Sequence, residues 1–143
     1  MTEVRTRFAP SPTGFQHIGG MRTAFYAWLL AKHYGGKFLL RVEDTDQQRI
    51  VPGAIRFILE ELHWFETFPD EGPSRGELEK VKENFSGAPD LHGPCAPYIQ
   101  SLRLPRYQEI AELLIEKGAA YRCDCTPEML EKERNVQMAR KEQ

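Results

Sequence analysis

The chain has 143 residues, of which 41% are hydrophobic and 28% are charged. That size fits one domain with a real core and is small for a multi-domain enzyme. The formal net charge of −2 gives no sign of a nucleic-acid partner, so an RNA partner has to be argued from local features. The longest apolar stretches, such as residues 24–31, are too short to span a bilayer, and the N-terminus lacks a basic-then-apolar signal segment.

The cysteines indicate the redox state. They are three in number, and Cys123 and Cys125 are only one residue apart. An odd count with this spacing is a poor framework for disulfides. We therefore expect a reduced, cytoplasmic protein that does not associate with membranes.

The N-terminal residues read as a strand, a loop, a helix and a second strand. Residues 4–9 alternate as a short strand would, and the prolines and glycine of residues 10–14 then form a tight loop. Residues 20–34 have helical periodicity, and the Gly pair that follows ends the helix. Residues 37–42 read as a mostly buried strand. This order predicts a parallel βαβ unit.

The middle of the chain is less regular. A second helix is predicted after Pro52, with an apolar stripe that begins at Ile55. Residues 69–105 are rich in Gly and Pro and resist periodic analysis, apart from one or two charged helical turns around residues 77–84. The fold class is therefore α/β, with an unfinished parallel sheet.

The C-terminal part predicts two more helices with a strand between them. Pro105 opens a third helix and Gly118 closes it. Its inward-facing residues are predicted to be Tyr107, Ile110, Ala111 and Leu114. Tyr121, Cys123 and Cys125 alternate on one strand face. Thr126 then caps a final helix that is mainly charged and polar.

The loop of residues 7–20 is the most informative stretch. It leaves the end of the first strand and enters the first helix, an edge where ligands bind in open α/β sheets. The helix N-terminus is expected to offer unpaired N–H groups and a partial positive charge, which suit phosphate. His17, just before the helix, can donate a hydrogen bond to a phosphate oxygen, and Gly19 and Gly20 allow close approach to the backbone.

Each of these features has a plain alternative. A single His before a helix is usually a cap or a surface residue, and a Gly pair is usually a turn. The glycines do not match the GxGxxG dinucleotide fingerprint, and no Gly-Lys-Ser/Thr follows as in a P-loop. From spacing alone, both the phosphate role and the structural role remain open.

The run HIGG at residues 17–20 resembles the HIGH signature of class I aminoacyl-tRNA synthetases, in the form common among glutamyl enzymes. The preceding FAPSPTG at residues 8–14 matches the glutamyl-tRNA synthetase pattern closely. Further matches follow in order at residues 41–46 (RVEDTD), Arg49, 51–54 (VPGA), 70–73 (DEGP) and 97–103 (PYIQSLR). The resemblance covers nearly all of the chain. It implies a Rossmann-like (HUP-type) nucleotide-binding fold, of which the first half is present.

The resemblance also implies residue roles. The glutamate substrate would be bound by Arg7, Ala9, Ser11 and Glu43. ATP would be bound by Pro10, Ser11, Thr13, Gly14, His17, Gly19 and Gly20, with His17, Gly19 and Gly20 as the catalytic signature. An arginine suits a carboxylate because its planar fork binds two oxygens. The plain alternatives are a surface strand charge for Arg7, and a solvated acidic turn or a cap for Glu43, Asp44 and Asp46.

The implied reaction is ATP-dependent activation of L-glutamate to glutamyl-adenylate, with magnesium accompanying ATP, and transfer to tRNA(Glu). The second class I signature, a Lys-rich KMSKS-type loop, does not occur here. We therefore expect residues 1–122 to be the N-terminal half of the catalytic domain and residues 123–143 the truncated start of the acceptor-binding (connective peptide) insertion. The family is monomeric, but an unpaired sheet edge would favour oligomers. The chain alone is not expected to aminoacylate tRNA.

Cys123 and Cys125 resemble the first half of the zinc knuckle found in some family members. Tetrahedral zinc needs four ligands, and the family's second pair would lie beyond residue 143. His92 and Cys95 have a tolerable spacing to replace that pair. The plain alternative is two strand cysteines beside an unrelated Cys95. We do not expect a complete zinc site.

Two functional alternatives remain. Glutamyl-queuosine tRNA(Asp) synthetase is a shorter relative that shares the same loop. A non-catalytic fragment that binds a nucleotide or an amino acid is the other.

Overall fold

The structure is a computed structural model that describes residues 3–83 and 85–140. The chain divides into two compact units, Met1–Pro105 and Arg106–Gln143. The predicted domain boundary after residue 122 lies within the second unit and stays a prediction.

The first unit is built on the predicted parallel βαβ unit. It consists of β1 (Arg5–Phe8), α1 (Ile18–His33) and β2 (Lys37–Leu40). The strands pair in parallel with register Arg5↔Lys37 to Phe8↔Leu40, which confirms the prediction. Each glycine of the pair after α1 meets a structural requirement. Gly35 adopts φ 63°, and a Cβ on Gly36 would collide with the carbonyl of Val4. Only glycine allows so close an approach at Gly36.

The sheet continues on the other side of β2 through short bridges. Leu39 bridges Glu71, and Val42 bridges Ile99, both in parallel. The Val42 N–H donates to the Tyr98 carbonyl at 2.9 Å. β2 therefore lies between β1 and two segments that are far away in sequence.

The remaining helices of the first unit are α2 (Ala54–Trp64), α3 (Arg75–Lys80) and a short 3₁₀ helix, Gln100–Arg103. The apolar stripe predicted for α2 is confirmed, since its buried side chains include Ile55, Ile58, Leu59 and Leu62. They join residues of both strands and of α1 in one core. Burial of this stripe is the main source of stability for α2, because short helices are marginal on their own.

The second unit is helical, with α4 (Leu104–Glu116) beginning just before it and α5 (Pro127–Arg140) following. No residue of α4 is buried, so the prediction that Tyr107 and Leu114 face inward is wrong for this chain. The strand predicted through Tyr121 and Cys125 is also wrong, because residues 121–125 are irregular and exposed. An alternating pattern forms a strand only where a neighbouring strand pairs with it.

Within the described residues, no helix is both long and apolar enough to cross a membrane.

Candidate functional site

Backbone hydrogen bonds join two loops at the carboxyl edge of β1 and β2. The N–H of Arg41 donates to the Phe8 carbonyl at 3.0 Å, and that of Glu43 donates to the Pro10 carbonyl at 2.9 Å. Later in the chain, the N–H of Val51 donates to the Pro12 carbonyl at 2.9 Å. The loop after β1 and the loop after β2 therefore run side by side, and Glu43 lies against the proline loop.

The predicted site residues differ in how accessible they are. Arg7, Ser11 and His17 are exposed, Ala9, Thr13, Gly14, Gly19, Gly20 and Glu43 are half-buried, and Pro10 is buried. Pro12 is also buried, so two prolines anchor the loop while the polar residues between and beside them remain accessible. A loop fixed in this way loses little entropy when a ligand binds.

His17 is the N-cap of α1. Its Nδ1 atom accepts a hydrogen bond from the Gly19 N–H at 3.1 Å. In a neutral imidazole with Nδ1 as the acceptor, Nε2 carries the proton. The ring is thus both the helix cap of the plain alternative and a donor that can serve a ligand through Nε2.

Two of the N–H groups that we expected to be unpaired at the helix N-terminus, those of Gly19 and Gly20, have partners. Gly19 donates to the His17 ring, and Gly20 donates to the His17 carbonyl at 2.8 Å, as Met21 does at 3.3 Å in the first regular helical bond. For Gly19 and Gly20 the expectation is therefore wrong, because His17 caps them with its side chain and with its carbonyl. A phosphate at this corner would depend on the imidazole more than on these amides.

Gly19 and Gly20 make room for the chain's own side chains. A Cβ on Gly19 would lie 2.7 Å from Cε1 of His17, and one on Gly20 would collide with the side-chain oxygen of Gln16. Gly14 differs, because no atom of the described residues lies within 4 Å of its Cβ position. Gly14 thus has open space at its Cβ position, while close approach of a ligand to Gly19 and Gly20 stays a prediction.

Glu43 has a charged partner that sequence reasoning missed. Nη2 of Arg41 pairs with Oε1 of the Glu43 carboxylate, and both side chains are largely shielded. Nε of Arg41 is buried and has no partner among the described residues. The sequence signal that could have predicted this pair is the two-residue spacing of Arg41 and Glu43, since residues i and i+2 of an extended segment share one face.

Asp44 and Asp46 resolve the alternatives left open for the acidic run. Asp44 is buried, and its carboxylate accepts hydrogen bonds from the N–H of Ser101, at 2.8 Å, and from the Ser101 hydroxyl. It is therefore a structural anchor. Asp46 is exposed and pairs with Arg49, whose hydrogen bond holds the pKa of Asp46 below its usual value.

Glu71 is a second buried carboxylate, on the segment that bridges Leu39 of β2. Arg5 binds it bidentately at 2.7 and 2.6 Å, and the Tyr98 hydroxyl donates to it at 2.6 Å. These donors lower the pKa of Glu71 to about 2. Burial, together with the hydrogen bond to Glu71, raises the pKa of Tyr98 to about 12. The cluster ties β1 to residues 71 and 98 and is structural.

Cys123 and Cys125 are both exposed and form a close pair. Hydrogen bonds from Cys125 lower the pKa of the Cys123 thiol, and the same pairing raises that of Cys125. Across residues 3–83 and 85–140, no three His, Cys, Asp or Glu side chains form a group that could hold a metal ion. His92 contacts Asp90 at 3.3 Å, a partner that a metal-bound histidine also commonly has, so a role for His92 and Cys95 stays a prediction. Cys123 and Cys125 together supply two of the four ligands that a tetrahedral site needs.

The βαβ unit with its HIGG loop defines a class I synthetase catalytic fold, and comparison with known families agrees. The family described as tRNA synthetases class I (E and Q), catalytic domain, matches residues 3–143. The chain belongs to this family, which confirms the resemblance and the Rossmann-like fold.

The individual relatives that match the chain are glutamate–tRNA ligases. A glutamate–tRNA ligase of Dehalococcoides mccartyi is 49% identical over 140 residues, covering 98% of this chain and 26% of the relative. One from Finegoldia magna is 51% identical over 141 residues, covering 97% of this chain and 27% of its own length. A crystal structure of a glutamate tRNA ligase from Elizabethkingia meningosepticum, in complex with its amino acid, has a TM-score of 0.73 and 42% identity, covering 99% of this chain and 25% of that one. The chain thus spans about a quarter of the length of these relatives.

Proposed function

We propose that this chain provides the N-terminal, substrate-binding part of a glutamate–tRNA ligase. The observation that carries the proposal is the hydrogen bond from the Glu43 N–H to the Pro10 carbonyl at 2.9 Å. It joins the backbone at Glu43 to the loop that holds Ser11 and that follows Arg7 and Phe8 of β1. An acid after β2 and a base near the end of β1 complement an amino acid that has an ammonium group and carboxylates.

In the proposed glutamate complex, the guanidinium of exposed Arg7 pairs with a substrate carboxylate through two N–H groups. Ser11 donates a hydrogen bond to the substrate, and the small side chain of Ala9 leaves space beside it. Glu43 receives the substrate ammonium. These roles follow from the family resemblance and agree with the accessibility of Arg7 and Ser11.

The proposed nucleotide site lies at the other end of the same loop, with Pro10, Ser11, Thr13 and Gly14 along its wall. His17 donates from Nε2 to an ATP phosphate, since its Nδ1 is engaged with Gly19. Gly20 would lie beside the same phosphate. Magnesium enters with ATP as part of the substrate.

The proposed reaction begins when a glutamate carboxylate oxygen attacks the α-phosphorus of ATP. A new P–O bond forms, the bond to the bridging oxygen breaks, and pyrophosphate leaves with the electron pair. The glutamyl group then passes to the terminal ribose of tRNA(Glu). Chemistry of this kind depends on placement and charge stabilisation rather than on a protein nucleophile.

The Lys-rich second signature does not occur among the 143 residues. We therefore expect the 143 residues, taken alone, to stabilise the leaving pyrophosphate poorly. We expect binding of the substrates without efficient charging of tRNA. We also place the protein in the cytoplasm as a monomer, on the family resemblance.

Calorimetry with a non-hydrolysable glutamyl-adenylate mimic tests the proposal. Wild type is expected to bind, while His17→Ala and Arg7→Ala each weaken binding about tenfold or more, as loss of a charge-assisted hydrogen bond predicts. Arg56→Ala is a matched control, because its ion pair with Glu60 on α2 is exposed. Absence of binding by wild type, or equal loss in the control, would refute the proposal.

Activity assays separate the alternatives. Pyrophosphate exchange and formation of charged tRNA(Glu) are expected near background for the isolated chain, and turnover well above it would show that the second signature is dispensable. The relatives named above are glutamate–tRNA ligases, and they give no support to the glutamyl-queuosine alternative.

A further inference from the structure

Arg41 and Glu43 form an ion pair on a backbone segment that is itself fixed. The N–H of Arg41 donates to Phe8 at 3.0 Å, and the N–H of Glu43 donates to Pro10 at 2.9 Å. Nη2 of Arg41 then pairs with Oε1 of Glu43, with the side chains 22% and 31% exposed. A pair shielded to this degree is screened less by solvent and salt than one on the open surface.

Each acid of the run 43–46 has its own partner. Asp44 is bound by Ser101, Asp46 by Arg49, and Glu43 by Arg41. The first pair is buried and structural, and the second is exposed on the surface. Only the third pair involves the acid that faces the proposed ammonium group.

The surroundings of Arg41 distinguish it from an ordinary structural arginine. A buried arginine that stabilises a fold usually has several acceptors for its five donors. Here Nε is buried without a partner in the described part of the chain, and Nη2 binds the Glu43 carboxylate. Among the described residues, Glu43 is thus the acceptor of the Arg41 guanidinium.

We infer that Arg41 is a positioning residue that holds the Glu43 carboxylate in place for the α-ammonium group of the substrate, an inference that rests on the proposed function. A carboxylate has about four lone-pair sites on its two oxygens. With Arg41 on Oε1, Oε2 remains for the ammonium. Arg41 thereby favours ligands with an amino group over those without one.

The first test measures the order of Glu43 without any ligand. In the 143-residue chain, three-bond couplings to Cγ of Glu43 report whether χ1 occupies one rotamer or averages over several. We expect one rotamer in wild type, averaging in Arg41→Gln, and an intermediate result in Arg41→Lys, which keeps the charge but loses the fork. Arg56→Gln is the matched control, since it removes an exposed Arg–Glu pair on α2. Unchanged couplings in Arg41→Gln would overturn the inference.

The second test compares L-glutamate with glutarate, which lacks the amino group, by NMR titration. Loss of a fixed Glu43 rotamer is expected to weaken glutamate binding about three- to tenfold in Arg41→Gln. Glutarate binding is expected to change much less, and Arg56→Gln should alter neither. Equal losses for both ligands would mean that Arg41 does not act through Glu43, and would also overturn the inference.

The two tests separate failure of the inference from failure of the proposed function. If wild type does not bind glutamate, the proposed function fails for this chain, and the coupling measurement alone decides whether Arg41 positions Glu43. If wild type binds glutamate but Arg41→Gln retains both the rotamer and the affinity, the function stands and the inference is wrong. Amide spectra and melting temperatures of each variant show whether it is folded, and Arg41→Lys replaces Arg41→Gln if the latter is not.

Discussion

The buried carboxylate of Asp44 is bound twice by Ser101, through the backbone N–H at 2.8 Å and through the hydroxyl. The two residues are 57 positions apart in the sequence. Their contact fastens the loop after β2 to the start of the 3₁₀ helix Gln100–Arg103. Because Glu43 directly precedes Asp44, this contact also fixes the backbone of the candidate glutamate site.

Replacing Asp44 is expected to cost more stability than replacing its partner. Asp44→Ala leaves the N–H and hydroxyl of half-buried Ser101 without their acceptor, and should lower the free energy of unfolding by about 2–3 kcal/mol. Ser101→Ala removes only the hydroxyl contact and should cost about 1 kcal/mol. Urea denaturation measures both. Asp46→Ala is the control, because its pair with Arg49 is exposed and contributes little to stability. Equal losses for Asp44→Ala and Asp46→Ala would contradict the assignment of Asp44 as an anchor.

Gly19→Ala is expected to displace the His17 ring. The new Cβ would lie 2.7 Å from Cε1 and 2.9 Å from Nδ1 of that ring, so the imidazole has to move and its bond to the Gly19 N–H is lost. Loss of an N-cap costs about 1 kcal/mol, and ¹⁵N shifts of the His17 ring should show that Nδ1 is no longer a fixed acceptor.

Gly76→Ala provides the matched control for that substitution. Gly76 lies in α3, and its Cβ position has no neighbour within 4 Å in the described residues. Alanine there should be neutral or stabilising, since it is the better helix former. If Gly19→Ala left both the stability and the ring shifts at wild-type values, the capping role of His17 would be wrong.

The parts of the fold that sequence reasoning predicted are those with local periodic signals. α2 has a stripe of four aliphatic residues at helical spacing, and α1 is followed by a Gly pair that ends it. Such signals depend only on neighbouring residues. The family motifs extended the prediction to the candidate site, because they named Arg7, Ser11 and Glu43.

What escaped prediction depends on contacts between distant residues. Nothing near Glu71 indicates that Arg5, 66 positions earlier, will bind it, and the Ser101 partner of Asp44 is equally remote. The capping of α1 by both groups of His17 could be inferred only in part, since a His before a helix is an ambiguous signal. The strand predicted at residues 121–125 failed for the same reason, because alternation says nothing about whether a partner strand is present.

The isolated chain is expected to hold no stoichiometric zinc. Cys123 and Cys125 supply two thiols, whereas a closed structural site requires four ligands. Elemental analysis of protein purified without added zinc should give well below one zinc per chain. The Cys123→Ser variant should then melt at the wild-type temperature. One tightly held zinc per chain, with a lower melting temperature in Cys123→Ser, would show that further ligands complete the site.

Glu71 makes the stability of the first unit depend on pH in the acid range. Its pKa is lowered from 4.5 to about 2, first by the hydrogen bonds from Arg5 and then by that from Tyr98. A carboxyl group with a lower pKa in the folded state contributes stability that is fully present above 4.5 and is lost as the pH falls toward about 2. At neutral pH, Glu71→Gln removes the carboxylate that Arg5 binds bidentately, leaves it the more distant Glu3 at 3.9 Å, and should cost about 3 kcal/mol.

The pH dependence itself distinguishes this ion pair from simple packing. Other carboxyl groups titrate over the same range, so the informative quantity is the difference in free energy of unfolding between wild type and Glu71→Gln. That difference should shrink as the pH falls from 4.5 toward about 2, because protonation of Glu71 in wild type mimics the substitution. Glu60→Gln, which removes an exposed pair with Arg56, should show a small and nearly constant difference. A difference for Glu71→Gln that is independent of pH would mean that shape, and not charge, makes Glu71 necessary.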